Sequence, residues 1–303
     1  MSLTGLIRTD PEVRARLAEA ITRSPLPRMP LLIAPQSKRY NVTGTAFDYL
    51  LRFALHRRAG DVAVHAGWWV AEIARPRGRG ARKTAAFLKD ARALVGAFVQ
   101  GDGDVRDVAL ACTVLAKLDL IVRSGWVDPE LLTPLPDIAE ELLALLDIVP
   151  FGELQAQRQL VLNPTFDSAS RAVGGADADM VVDDLLLDIK TTQEARASLD
   201  EVRQLVGYAV LARLAGLHAL DSPVSSRCVP GSVRRVGLYY ARYGRVVTYD
   251  LRELVRPEAW TALLLWWELR FPRGGLELPW PVDRTRAAME RWLEEGVEVA
   301  LAY

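Results

Sequence analysis

The chain has 303 residues, half of them hydrophobic and a quarter charged, so it can bury a sizeable core without disulfide bonds or a structural metal. Its 38 basic and 38 acidic side chains give a formal net charge of zero, so no overall field draws the protein to nucleic acid, and only a local basic patch would serve that purpose. Two cysteines and three histidines, without ligand-like spacing, argue against a disulfide framework, an iron–sulfur cluster or a zinc enzyme.

The first half of the sequence is predicted to be largely helical. Residues 1–40 are polar and rich in proline, and they resemble an arm that leads into the fold. Apolar residues at three- and four-residue spacing then indicate amphipathic helices. These helices are predicted at Gly44–Arg58, His65–Ala74, Thr84–Phe98, Asp104–Ser124 and Pro136–Leu146. The basic, breaker-rich segment Arg75–Lys83 is predicted to be a loop; it is a candidate phosphate contact, although such loops are more often only solvated.

After Pro150 the pattern changes to short runs rich in valine and leucine, which predict strands. The strands are predicted at Arg158–Phe166, Ala178–Val182, Leu185–Lys190, Val233–Arg242 and Arg245–Leu251. Further helices are predicted at Asp200–Leu214, Pro257–Arg270 and Asp283–Leu301. The predicted fold class is therefore α/β, a mixed sheet flanked by helices, with a largely helical N-terminal half and C-terminal helices. We divide the chain into a mainly helical region (1–150), a core (151–255) and the C-terminal helices (256–303).

The most informative segment is Gly174–Thr192, in which acidic residues interrupt two apolar strands at positions where core-facing residues are expected. If Asp183 and Asp184 form a two-residue turn, the strands pair so that Asp179 faces Asp188. Side chains directly opposite one another on an antiparallel pair lie roughly 4.5–5.5 Å apart at Cβ. A surface hairpin is the simpler explanation of such a pattern, but it does not account for acidic residues on both strands.

Because side chains alternate along a strand, Lys190 shares a face with Asp188, and Asp177 shares one with Asp179. Opposed carboxylates repel one another unless a cation lies between them. An oxygen-rich site without nitrogen or sulfur ligands favours Mg²⁺ or Mn²⁺. Such an ion polarises a phosphoryl oxygen and activates a bound water, while Lys190 orients the water or stabilises the developing charge. This chemistry is phosphodiester hydrolysis.

The pattern of a glycine, an aspartate, an apolar strand and then D-x-K resembles the PD-(D/E)XK nuclease superfamily, particularly its RecB-like and Cas4-like branch. That branch also carries Q-x-x-x-Y on the following helix, and Gln204 and Tyr208 stand in the corresponding place, although two residues one turn apart on a helix are also compatible with ordinary packing. The resemblance covers about Arg158 to Asp250. The iron–sulfur cysteines of some relatives are absent.

The resemblance implies a restriction-endonuclease-like core and Mg²⁺-dependent cleavage of DNA. It implies that Asp179 and Asp188 hold the metal and that Lys190 assists the attacking water. The residues that would support them are Gln204 and Tyr208. A motor motif is not evident, so unwinding would require a separate motor or defence-system partner.

Two assignments stay open at this point. The first acidic ligand is Asp179 or Asp177, and we prefer Asp179 because hairpin pairing sets it opposite the second ligand. An upstream helix usually supplies a further residue in the family. Asp48 stands where the G-x-x-x-H helix start of the branch has its histidine, and Glu140 or Glu141 is the rival.

The sequence therefore predicts a metal-dependent deoxyribonuclease, with RNA as a further candidate substrate. The habits of the family suggest phage defence, mobile-element processing or repair. We expect a cytoplasmic protein, compatible with a homo-oligomer, because no secretion signal and no apolar run of membrane-spanning length is evident. One alternative is a catalytically inactive nucleic-acid-binding or assembly protein on the same fold. Another is an unrelated α/β protein whose acidic hairpin is a surface feature.

Overall fold

The computed structural model describes residues 2–22, 29–74, 79–125, 127–194, 198–222 and 225–272. In the described part of the first half, the elements are α1 (Leu3–Thr9), α2 (Pro11–Ala20), α3 (Tyr40–Arg58), β1 (Ala63–Ala66), α4 (Arg79–Val99), α5 (Val105–Ser124) and α6 (Pro136–Asp147). Those of the second half are β2 (Gln159–Leu162), α7 (Asp167–Ala172), β3 (Met180–Val182), β4 (Leu185–Lys190), α8 (Leu199–Ala215), β5 (Leu217–Ser222), β6 (Ser225–Val229), β7 (Arg235–Tyr240), β8 (Arg245–Asp250), α9 (Leu251–Leu254) and α10 (Pro257–Arg270).

A mixed sheet with the strand order β1-β2-β3-β4-β7-β8 forms the centre of the molecule. The pairs β1–β2 and β4–β7 are parallel, and the other neighbours are antiparallel. Strands β5 and β6 form a separate hairpin that the sequence did not predict. The predicted fold class is confirmed: a mixed α/β sheet is flanked by helices, the N-terminal half is largely helical, and α10 packs after the last strand.

Apolar side chains on both faces of the sheet are buried. Val181 and Leu186 belong to a core shared with α1, α2, α8 and α10. Their neighbours Met180 and Leu187 belong to a second core, shared with α3, α5 and α6. Burial on both faces explains why β3 and β4 are almost continuously apolar, since a strand with one solvated face would alternate.

The predicted arm over residues 1–40 is wrong, because α1 and α2 lie within it. The Asp10 carboxylate accepts hydrogen bonds from the first backbone N–H groups of α2, and Pro11 occupies its first turn. Helix α1 packs against α8 at Gly207, where an added Cβ would lie 3.2 Å from the Leu3 side chain. The two helices thus become part of one core.

The helix predicted at His65–Ala74 is also wrong. The segment begins with the last two residues of β1, which pairs with β2, and continues to a 3-10 turn at Val70–Ile73. A four-residue strand at a sheet edge is too short for periodicity to distinguish it from a helix. β1 comes from the predicted N-terminal region and β2 from the predicted core, and the two are hydrogen-bonded to each other.

The predicted basic loop Arg75–Lys83 is wrong in its second part, since α4 begins at Arg79. Residues 75–78 and the predicted helix Asp283–Leu301 lie outside the described residues. The predicted strand Leu185–Lys190 and the predicted helix Pro257–Arg270 are present with the predicted ends, and the other predicted helices and strands are present with shifted ends. Among the described helices, none is both long and apolar enough to cross a membrane.

A buried ion pair joins the two halves of the chain. Arg242 and Glu141 have side chains that are 1% and 0% exposed, and the guanidinium donates to the carboxylate. The second Glu141 oxygen accepts hydrogen bonds from the backbone N–H groups of Gln36 and Ser37, at 3.2 and 3.0 Å. Arg242 Nε donates to the Thr191 carbonyl oxygen at 3.0 Å, just beyond β4. The pair therefore fixes the approach to α3 against the end of β4.

We expect Glu141→Gln to destabilise the protein by about 3–5 kcal/mol, because it leaves the buried Arg242 charge without its counter-charge. The neighbouring Glu140 is the matched control, since its pair with Arg106 is about half exposed. Glu140→Gln should change the free energy of unfolding by no more than about 0.5 kcal/mol. Urea denaturation of both variants measures the difference. Equal losses in the two variants would contradict this account of the pair.

Candidate functional site

A cleft of about 470 Å³ opens where β3 begins and β4 ends, between α3 on one face of the sheet and α8 on the other. It collects most of the candidate residues that the sequence identified. The candidates that line it are Asp48, Asp177, Asp179, Asp188, Gln204 and Tyr208. The N-terminal residues of α1 and Arg123 of α5 complete its wall.

The predicted hairpin forms with the predicted register between β3 and β4. Asp183 has a φ of 56°, in the left-handed region that aspartate tolerates in tight turns, and its carboxylate accepts the backbone N–H groups of residues 157–159. The paired region ends just before Asp179 and Asp188 would be opposite each other. The chain bends at Asp179, whose Oδ2 accepts a hydrogen bond of 2.5 Å from the Ile189 N–H.

Lys190 belongs to a network that joins β4 to α8. Its Nζ lies 2.6 Å from Asp188 Oδ2 and donates to Gln204 Oε1 at 3.3 Å. Gln204 Nε2 faces three oxygen acceptors, namely Asp188 Oδ1 at 3.3 Å, the Tyr208 hydroxyl at 2.8 Å and Thr4 Oγ1 at 3.3 Å. Gln204 therefore contacts both the predicted ligand Asp188 and the lysine directly, and Tyr208 contacts Gln204, so the two residues do more than pack in the core.

The structure brings Asp48 to the cleft, whereas neither Glu140 nor Glu141 lines it. Asp48 Oδ2 pairs with Arg52, one turn further along α3, at 2.5 Å. Its other oxygen, Oδ1, is buried and has no hydrogen-bond partner. Of the upstream acids considered from the sequence, Asp48 alone is therefore placed beside Asp179 and Asp188.

A second arginine, which sequence reasoning missed, neutralises Asp177. Arg123 of α5 donates to Asp177 Oδ2 at 2.9 Å and to the buried Asp119 at 2.5 Å. The i, i+4 spacing of Asp119 and Arg123 is visible in the sequence, but nothing in it links α5 to the loop before β3. Because Asp177 is already neutralised by Arg123, whereas Asp179 accepts a hydrogen bond from the backbone N–H of Ile189, the geometry favours Asp179 as the first acidic ligand.

Burial and mutual repulsion shift the titration of these groups. Burial raises the pKa of Asp48 to about 6. It raises the pKa of Asp179 well above its usual value, and the nearby charges of Asp48 and Asp188 add to the effect. Burial alone would lower the pKa of Lys190, but its ion pair with Asp188 more than compensates and the pKa is raised. The cleft thus contains closely spaced carboxylates, and a firmly protonated lysine is paired with one of them.

Within the described residues, no group of three or more histidine, cysteine, aspartate or glutamate side chains is arranged as a ready-made metal site. The chemistry of the donors nevertheless fits a hard cation. Asp48, Asp179 and Asp188 supply only oxygens, and Asp48 Oδ1 is buried without a partner. Asp188 Oδ2 lies in ion-pair contact with Lys190 without forming a hydrogen bond of good geometry. These are the oxygens available to such an ion.

No protein-family model matches the chain, and no curated protein or solved structure matches it either. The resemblance to PD-(D/E)XK nucleases therefore depends on the residues of this chain alone.

We expect Asp179→Asn to stabilise the metal-free protein at pH 7.5. The amide keeps an oxygen that accepts the Ile189 N–H and removes one of the facing charges. Each kcal/mol gained should raise Tm by about 2–4 °C in a protein of this size. Calorimetry in EDTA measures the change, with Asp90→Asn on the exposed side of α4 as the control. A lower Tm for Asp179→Asn than for Asp90→Asn would contradict the repulsion inferred here.

The metal-free protein should lose stability as the pH rises from about 4 to above 6. Burial raises the pKa of Asp48 to about 6 in the folded protein, above its usual value of 3.8, so between these pH values the folded state retains a proton that the unfolded state has released. The loss should be smaller in Asp179→Asn, which removes a second carboxyl with a raised pKa. Urea denaturation at a series of pH values tests this, and parallel curves for the two proteins would count against it.

Proposed function

We propose that this protein is a metal-dependent nuclease of the PD-(D/E)XK type that hydrolyses DNA phosphodiester bonds. The observation that supports the proposal is that candidate residues from separate elements of the chain lie close together. Asp48 comes from α3, Asp179 precedes β3 and Asp188 comes from β4, yet all three line one cleft. Lys190 of β4 does not line the cleft itself but is in ion-pair contact with Asp188. The sequence identified these residues by the chemistry of their side chains, not by their positions in space. In an ordinary surface hairpin, the same side chains would point apart into solvent.

Asp48, Asp179 and Asp188 would hold Mg²⁺ or Mn²⁺, and such an ion when bound supplies Lewis acidity and an activated water. The protein itself contributes a positively charged side chain, Lys190, in a fixed position. Lys190 is held by Asp188 and Gln204 and stays protonated at neutral pH, so it presents a fixed positive charge to a phosphate oxygen.

The acidic cleft repels a phosphate backbone, so the bound cation and local basic groups must provide the attraction. Arg123, about two-fifths exposed at the cleft wall, is suited to contact a backbone phosphate. A cytoplasmic location, a separate motor or defence-system partner, and a role in defence, mobile-element processing or repair belong to the same proposal. RNA is the alternative substrate.

One observation favours a second candidate, a catalytically inactive nucleic-acid-binding or assembly protein on the same fold. The carboxylates Asp48 and Asp188 are paired with Arg52 and Lys190, and among the described residues the acidic side chains do not form a ready-made ligand group. Such pairing is also how an inactive site would neutralise its buried charges.

We expect cleavage of supercoiled, linear or single-stranded DNA in Mg²⁺ or Mn²⁺ and none in EDTA. Lys190→Ala should lower the rate by about 10²–10³-fold, the usual effect of removing one group that stabilises transition-state charge. Lys89→Ala, on the exposed face of α4, is the matched control and should cleave normally. Gel assays of the three proteins measure the rates.

Undiminished cleavage by Lys190→Ala would overturn the assignment of the lysine. Metal binding that depends on Asp179 and Asp188 but brings no cleavage of DNA or RNA would favour the inactive protein. If calorimetric titration shows neither binding nor cleavage, the site assignment fails.

A further inference from the structure

A second cavity, of about 230 Å³, lies beside the cleft. Its floor and walls come from α3, α4, the loop after β1 and the end of β2. The residues that matter for its chemistry are Arg52, His56, Trp68, Trp69, Leu162 and Asn163. We call it the side pocket.

The side pocket directly adjoins the carboxylates of the cleft. Asp48, Arg52 and His56 follow one another at four-residue intervals on α3, and each interval advances about 6 Å along the helix. Asp48 lines the cleft, whereas Arg52 and His56 line the side pocket. On the sheet side, the Asn163 backbone N–H donates to the Asp179 carbonyl oxygen at 2.9 Å. One turn of helix and one hydrogen bond therefore separate the two spaces.

Asn163 supplies an unused hydrogen-bond donor to this pocket. Its side chain is 6% exposed, and its Nδ2 is buried without a hydrogen-bond partner. The φ of 52° explains why asparagine suits the backbone at this position but leaves the amide group unexplained. A buried donor without an acceptor lowers the stability of the protein. The free amide N–H of Asn163 therefore indicates a ligand that accepts a hydrogen bond from it.

Trp68 is held in place at the pocket wall. Its backbone N–H donates to the Leu220 carbonyl oxygen at 2.9 Å. The preceding Gly67 lies so close to the same strand that an added Cβ would be 2.1 Å from Leu220 O. The backbone of the loop is therefore fixed against β5, and the half-buried indole of Trp68 provides an apolar surface at the pocket wall.

The arginine side chains near the side pocket already form ion pairs with acidic residues. Arg52 pairs with Asp48, and Arg92 pairs with Glu72. Burial lowers the pKa of His56, so its ring is neutral at pH 7. The pocket therefore suits an uncharged, flat group that carries hydrogen-bond acceptors.

We propose that the side pocket receives one unpaired nucleobase of the nucleic acid whose backbone enters the cleft. Trp68 would stack on or against the base, and Asn163 Nδ2 would donate to a ring nitrogen or carbonyl oxygen of it. The volume is below the roughly 300 Å³ at which cavities for drug-sized ligands begin, which fits one base better than two. This inference rests on the proposed function and specifies its substrate class: single strands, or duplexes that contain an unpaired nucleotide.

Binding without cleavage tests the proposal. The probes are a short labelled oligothymidylate and an abasic oligomer of the same length and charge, each titrated by fluorescence anisotropy in EDTA at low salt. The wild type should bind the base-bearing probe about tenfold more tightly, the effect of stacking one base. Trp68→Ala should reduce this preference to near one. Asn163→Asp keeps a residue that tolerates the positive φ, removes the donor, and should reduce the preference too.

Trp266→Leu, on α10 away from both cavities, is the control for loss of a tryptophan and should keep the tenfold preference. The proposal for the side pocket is overturned if the wild type binds the two probes equally or binds neither. This holds whether or not the protein cleaves DNA. A preference that survives both Trp68→Ala and Asn163→Asp also overturns it. A preference lost in these variants, in a protein that never cleaves nucleic acid with metal, supports the side pocket and overturns the nuclease proposal.

Discussion

Electrostatic repulsion among buried carboxylates is the constraint around which the site is organised. Asp48, Asp179 and Asp188 line one cleft, and the protein offsets their charge with Arg52 on one side and Lys190 on the other. The compensation is incomplete, since burial, together with neighbouring carboxylates, keeps the pKa values of Asp48 and Asp179 raised. The cost of burying these charges lowers stability, and proteins commonly tolerate such a cost at sites that perform chemistry.

The fold keeps these charges together by drawing on both faces of one sheet. Helix α3 carries Asp48 against one face, α8 carries Gln204 against the other, and the cleft forms between them where β3 begins and β4 ends. Neither helix reaches across the sheet, so the site exists only at this edge. The side pocket lies further along α3 from the same edge. The helix therefore contributes Asp48 to the cleft and, four residues later, Arg52 to the side pocket.

The hairpin could be predicted from the sequence because its information is local. Two adjacent aspartates in a turn, flanked by apolar strands, set the register and therefore the position of Lys190. The same holds for Gln204 and Tyr208, whose spacing on a helix fixes their common face. Asp48 was a candidate by motif, but only packing decided between it and Glu141, which is used instead to neutralise Arg242.

What the sequence did not reveal depends on contacts between distant segments. Arg123 reaches Asp177 across 54 positions, and β1 pairs with a strand almost a hundred residues later. Neither contact leaves a periodic pattern. The helices α1 and α2 did leave a signal, the capping pair Asp10 and Pro11, which the proline-rich composition of the surrounding residues obscured.

The ion pair of Glu141 and Arg242 has a consequence for how the chain can be divided. Each residue lies on a different side of the residue-150 boundary, and each is almost completely buried. A fragment ending at that boundary would retain the acid without its counter-charge, and the remaining fragment would retain the base. β1 would also lose its only partner strand among the described residues. The two halves are therefore expected to fold as one cooperative unit, and separately produced fragments should recover structure only when mixed.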